Sequence, residues 1–171
     1  MSLRSLKVLV AFVSLLCWIT ASGQAPAPPT SSPTPPLPYG PPIGVESAKK
    51  AAAAALAEAR KNNWFMAVAV VEPSGVLVYY EKMDNTQIGS TTVSIDKART
   101  SALFKRPTKA FQDMVAGGGP GLRALSLPGA IAIEGGFPLV VNGQIIGAIG
   151  VSGDAASNDA ICGQAGVAAL K

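Results

Sequence analysis

The sequence predicts a mixed α/β (α+β) domain from residue 44 to the C-terminus, in the order helix, strand, strand, helix, three strands, helix. Three observations carry this. Residues 44–62 repeat alanine at helical spacing with charge on the other side. Two pairs of apolar runs, 64–71 with 76–83 and 137–141 with 144–152, are each split by a short turn signal. Helix-forming segments follow each pair, at 91–105 and 156–170.

The first helix, "GVESAKKAAAAALAEARKN", places Val45, Ala48, Ala52, Ala55, Leu56 and Ala59 three and four apart, a thin apolar face suited to close packing on a sheet. Glu72-Pro73-Ser74-Gly75 then separates two strands. Proline at the second position and glycine at the fourth suit a type I turn, which makes 64–83 a hairpin. After a loop at 84–89, the helix at 91–105 stops before Pro107, and a short helical turn follows at 108–115. "AGGGPGL", 116–122, reads as a flexible loop. It lacks the third glycine of the dinucleotide fingerprint and any Gly-Lys-Ser/Thr of a phosphate loop.

"IEGGFPLVVNGQIIGAIGVSG", 133–153, is rich in strand formers yet holds six glycines, each of which weakens a strand and needs its own reason. Asn142-Gly143 is the hairpin signal of a type I′ turn. Gly135 and Gly136 open the first strand, where the chain must bend or admit a close neighbour. Gly147 shares a pleat face with Ile145, Ile149 and Val151, and Gly150 lies on the opposite face. The room they leave suits a helix, a second subunit or a ligand. Gly153 ends the strand before the last helix, which Asp154 or Ser157 is placed to cap. Both strands are apolar on both faces, so the sheet is covered on two sides. With few helices available, one cover is expected from a partner subunit, hence a homo-oligomer.

The first 43 residues differ. Arg4 and Lys7 precede the apolar run 8–19, too short to span a bilayer but right for a secretory leader, with Ala21 and Gly23 at cleavage spacing. The expected organisation is a signal peptide at 1–23, a proline-rich linker at 24–43 and the domain at 44–171, with a secreted or periplasmic product and no stable membrane insertion after cleavage. "APAPPTSSPTPPLPYGPP", 25–42, is half proline and reads as an extended, solvated tether. Loss of Arg4 and Lys7 leaves twelve basic residues against ten acidic ones, a net +2, and no basic cluster is interleaved with aromatics, which argues against nucleic acid. Once Cys17 has left with the leader, Cys162 has no partner for an intrachain disulfide and reads as a small buried residue.

The chain has no histidine. That removes Ser-His-Asp and Cys-His catalysis, histidine-containing zinc sites and a proximal-histidine haem. Ser94-Ile95-Asp96-Lys97 has the Ser-x-x-Lys spacing of penicillin-recognising enzymes without their companion motifs, and reads as an exposed helical turn with Asp96 paired to Arg99 or Thr100. Lys97, Arg99, Thr100, Lys105, Arg106, Thr108 and Lys109 cluster around Phe104. This is either a solvated basic face or a site for carboxylates. Glu134, beside two glycines, either holds a loop or meets a ligand.

"MAVAVVEPSGVLVYYEKMD", "SIDKARTSALFKRPTKAF", "LPGAIAIEGGFPLVVNGQIIGAIGVSG" and "DAICGQAGVAAL", in that order from about residue 44 onward, resemble the GlcG/HbpS family of haem-binding proteins, to which the C-terminal domain of PduO-type proteins is also similar. The resemblance implies an α/β sandwich with a five-stranded antiparallel sheet, oligomeric assembly and, in secreted members, haem binding with slow oxidative haem degradation. Carried over by position, it points to Lys97, Arg99, Thr100, Phe104 and Thr108 and to Glu134, Gly135 and Gly136 as ligand-binding residues. This sequence departs from members that use histidine for iron.

Without histidine, iron is left with thiolate, thioether or phenolate ligands: Cys162, Met66, Met83, Met114, Tyr39, Tyr79 and Tyr80. Tyr79 and Tyr80 point to opposite faces of their strand, and Met83 ends it. Tyr80 and Met83 are the candidates, with 97–108 holding the propionates of a weakly ligated, high-spin haem. The alternative is a module that binds, or an enzyme that acts on, a small organic acid through the same basic residues.

Overall fold

Alanines 48, 51, 52, 55 and 59 give helix α1 (Val45–Lys61) a face almost without side chains, and all are fully buried together with Leu56. A face this flat allows close approach, and α1 packs on helix α4 (Ala156–Ala168) and on one face of the sheet. The computed structural model describes residues 36–171; the leader expected at 1–23 and most of the proline-rich segment lie outside the described residues. No helix of the described residues is long and apolar enough to cross a membrane.

Strands β1 (Ala67–Val71) and β2 (Leu77–Lys82) form the first hairpin, its turn closed by the Gly75 amide donating to the Glu72 carbonyl at 2.9 Å. Strands β3 (Gly136–Val141) and β4 (Gln144–Ser152) form the second. Asn142 and Gly143 have φ of 49° and 75°, the two positive values that a type I′ turn requires. The four strands are antiparallel in the order β2-β1-β4-β3. On β1, Val68 and Val70 face α1 and α4, while Ala69 and Val71 face helix α2 (Ser90–Phe104). Tyr79 and Tyr80 divide in the same way.

The sheet therefore has helices of its own chain on both faces. The partner subunit invoked as a cover is not needed for that purpose. A Cβ on Gly150 would meet the backbone of Ser94 and Ala98, and one on Gly136 the Lys97 carbonyl, so these glycines let α2 lie directly on the sheet. Of the three occupants that fitted the space, it is the helix that takes it beside Gly150, whereas beside Gly147 Ile43 and the Val71 carbonyl fill it. The buried side of α2 is accordingly made mostly of small groups, Ser90, Ser94, Ala98, Ser101 and Ala102, with Lys97 and Thr100 buried beside them.

Three expectations are corrected. The sheet has four strands, not five, and 127–135 forms no strand. Amides of this segment are taken by side chains instead of a ladder: Ile131 N–H donates to Thr100 Oγ1 at 2.9 Å and Glu134 N–H to Gln112 Oε1 at 2.9 Å, while Gly129 and Gly135 adopt φ of 71° and 122°. The expected loop at 116–122 is partly helical. Helix α3 (Lys109–Ala116) is followed by a 3₁₀ helix, Gly119–Ser126, with Pro120 in its first turn, where a missing N–H costs nothing.

The third correction concerns the end of the proline-rich segment, which is extended and largely exposed as expected but is docked on the sheet instead of being a free tether. Beyond the last residue of β1, the edge of β4 is open, and residues 38–43 fill it. Ile145 N–H donates to the Pro38 carbonyl, Gly40 N–H to the Ile145 carbonyl and Ile43 N–H to the Ile146 carbonyl, at 2.8 to 2.9 Å. Ile43 is buried against Gly147. Tyr39 donates its hydroxyl to the Ala102 carbonyl at 2.8 Å, with the Lys105 ammonium 4.0 Å from its ring centroid.

Gly150→Ala is expected to cost about 2–3 kcal/mol in urea unfolding, because the added methyl must push α2 off the sheet. Gly89→Ala is the control: its backbone is helical, a Cβ meets nothing within 4 Å, and stability should hold or rise by about 0.5 kcal/mol. Equal effects of the two substitutions would contradict the close-contact account.

Candidate functional site

The residues singled out in the sequence gather at the start of β3, but mostly as structure. Lys97 is fully buried. Its ammonium donates to Asp159 Oδ2 at 2.6 Å and to the Val151 carbonyl at 3.0 Å, tying α2 to α4 and β4. Burial outweighs the mutual attraction of the pair, lowering the Lys97 pKa and raising that of Asp159. Gly135, at φ 122°, passes so close that a Cβ would touch the Lys97 ammonium and the Asp159 side chain. Thr108 Oγ1 accepts the Gly136 N–H at 2.9 Å, and Thr100 Oγ1 holds the 129–131 loop. Among the described residues, Ser101 Oγ, beside Gly136, is buried without a hydrogen-bond partner.

Glu134 is partly buried, its amide fixed by Gln112 and its carboxylate near enough to Lys97 and Lys109 to favour their charged forms. Phe104 stacks edge to face on Phe111, centroids 5.3 Å apart. Arg99 turns away from this group: its Nε–H donates to the Gly75 carbonyl and it pairs with Asp96 at 4.0 Å. The pairing expected for Asp96 is therefore present, but the turn it belongs to is not exposed, since Ser94 and Lys97 are fully buried. No single basic face unites Lys97, Arg99 and Lys109.

The two candidate iron ligands also separate. Tyr80 donates its hydroxyl to Thr91 Oγ1 at 2.9 Å, beneath α2. Met83 lies on the other side and lines an open cleft of about 360 Å³ with Arg60, Phe65, Glu81, Lys82, Asp84 and Asn85. Phe65 is 48 % exposed there. The cleft thus offers a thioether, an aromatic face, two cations and two carboxylates. A smaller cleft of about 240 Å³ lies between Asp96 and residues 129–131. Among the described residues no group of three or more His, Cys, Asp or Glu could hold a metal ion. Sequence reasoning missed Arg60, Phe65, Glu81 and Lys82. The hairpin register was a usable signal for part of this set: Ala67 pairs with Lys82, so the residues before β1 and after β2 lie together.

The match to known proteins covers the described domain. The family model for "Haem degrading protein HbpS-like" matches residues 43–168. Protein GlcG of Escherichia coli (strain K12) is 43% identical over 100 residues, 58% of this chain and 73% of GlcG. The crystal structure of a double mutant of HbpS from Streptomyces reticuli superposes with a TM-score of 0.70 at 29% identity, over 85% of this chain and 98% of that one. The structure of a PduOC:heme complex gives a TM-score of 0.69 at 23% identity, over 76% and 96%, a likeness of fold.

Lys97→Met should destabilise the fold by about 3–5 kcal/mol by leaving the Asp159 carboxylate buried and unpaired, and Lys97→Met with Asp159→Leu should recover much of that loss. A double variant no more stable than the single one would refute a buried ion pair. Cys162 gives a pH test. Burial raises its thiol from 9.0 to about 12, so the folded chain holds the proton more tightly than the unfolded one. The resulting stability is complete below about pH 9 and is lost as pH rises toward 12. Between those values the wild type should lose stability more steeply than Cys162→Ala; parallel curves would show that the thiol does not contribute.

Proposed function

We propose that this protein, which belongs to the HbpS-like family, binds haem in the cleft beside Met83. The observation that carries the reading is the lining of that cleft: a thioether, which is a known axial ligand for haem iron, an exposed phenyl ring to lie against the macrocycle, and two cations for the propionates. The volume falls within the range of small-molecule sites, and the openness suits a ligand that is weakly held and partly solvated. Arg60 and Lys82 replace the 97–108 segment as the candidate propionate partners, because Lys97 is buried and paired. Tyr80 gives way to Met83, because its hydroxyl is engaged by Thr91 across the sheet.

When bound, haem would supply redox chemistry at iron. The chain's own residues would orient it, and with one thioether the complex should be high-spin and readily lost. The reading extends to slow oxidative degradation of the bound haem, with dioxygen and an external reductant as co-reactants. The leader at 1–23 supports a secreted or periplasmic site of action. Exposed Leu122, Leu125, Leu127 and Ile133 support a homo-oligomer.

Titration of the purified protein with haem should give a Soret band that saturates at one haem per chain. Met83→Leu should weaken binding about tenfold or more, while Tyr80→Phe leaves it unchanged. Saturable binding of a small organic acid with no Soret band would favour the carboxylate-binding alternative and overturn the haem reading.

A further inference from the structure

Arg60, in the last turn of α1, and Glu81, on β2, face each other in the proposed cleft at 3.8 Å. That is close enough for charge pairing and too long for a hydrogen bond. Glu81 has a second partner: Tyr79 donates its hydroxyl to Glu81 Oε2 at 2.7 Å, while Arg60 faces Oε1. The Tyr79 pKa is raised chiefly by this bond. Both members of the ion pair stand in water, with side chains 58% and 40% exposed, so the pairing is worth under about 1 kcal/mol and is cheap to exchange. A guanidinium prefers a carboxylate that it can grip with two parallel N–H bonds, and Glu81, held back by Tyr79, does not provide this grip.

The geometry points to Glu81 as a built-in stand-in for a ligand carboxylate on Arg60. This inference rests on the haem reading and adds the chemical class of ligand that the site selects: porphyrins with free carboxylates. An entering carboxylate takes the guanidinium in a shorter, bidentate contact, and Glu81 remains anchored by Tyr79 instead of being left without a partner. Lys82 makes no ion pair among the described residues and supplies the second cation, and Asp84 lines the same cleft. Glu81 therefore sets a threshold. A ligand without carboxylates leaves the Arg60–Glu81 pair undisturbed and gains nothing from Arg60, whereas a dicarboxylate exchanges a long pairing for a better one.

The test compares haem with haem dimethyl ester, in which both carboxylates are capped, by Soret titration of the full chain. Wild type should bind haem about tenfold tighter than the ester. Arg60→Ala should cut the ratio severalfold by weakening haem alone, the remainder being due to Lys82, and Glu81→Gln should tighten haem severalfold with no change for the ester. Both side chains are well exposed, and thermal unfolding followed by circular dichroism should confirm that the variants fold. Lys82→Ala provides a second variant at the same cleft, expected to weaken haem and not the ester. Equal affinities for haem and ester in wild type, or a ratio unmoved by Arg60→Ala and Lys82→Ala, would overturn the carboxylate selection while leaving haem binding intact. Unchanged haem affinity in Glu81→Gln would overturn the stand-in role. Failure of wild type to bind either porphyrin would overturn the haem reading and this inference with it.

Discussion

The contact of Lys97 with Asp159 and the Val151 carbonyl holds three elements at one point: α2 through the lysine, α4 through the aspartate and β4 through its backbone. A buried charge pair is expensive to assemble and more expensive to break on one side, so its value lies in fixing where these elements meet. Gly135 must pass beside it without a side chain, and Gly136 must pass beneath the Lys97 carbonyl. The start of β3 is therefore dictated by the pair. A residue that looks in the sequence like a ligand contact is instead the centre of the packing.

This arrangement moves the candidate chemistry to the far end of the first hairpin. Around the start of β3 most polar groups are already engaged with one another, Thr100 and Thr108 with loop and strand amides and Lys97 with Asp159, Ser101 Oγ being the exception. Around Met83 they are spread over an open cleft, and the one ion pair there is long and solvated. Polar groups satisfied internally hold a fold together; loosely satisfied ones at a cleft remain available to a ligand. Those at the cleft end of β2 are of the second kind.

The N-terminal extension follows a similar economy. β4 outruns β1, and an uncovered edge there would present open amides and carbonyls. Residues 38–43 close that edge with their own backbone, and the Tyr39 hydroxyl meets a carbonyl at the end of α2 that lacks a helical partner. Proline within the segment is no obstacle, because Pro38 contributes a carbonyl and the N–H donors come from Gly40 and Ile43.

By itself the sequence determined the elements that depend on local pattern. The alanine spacing of α1, the turns at 72–75 and 142–143, the opposite faces of Tyr79 and Tyr80, and the stop before Pro107 were legible because each is a matter of backbone preference or period. The glycines at 136 and 150 announced that something lies close to the sheet. Only the tertiary structure decided that it is α2, since helix, subunit and ligand leave the same gap in a sequence. The missing fifth strand was hidden because Thr100 and Gln112, distant in the chain, take amides that a ladder would have used. The cleft was half legible: hairpin register brings Phe65 beside Met83, but Arg60 arrives there through the packing of α1 on the sheet, which no local pattern encodes. Burial decided the rest. The charge of Lys97 is visible in its letter, and whether it meets solvent or Asp159 depends on contacts 62 residues away.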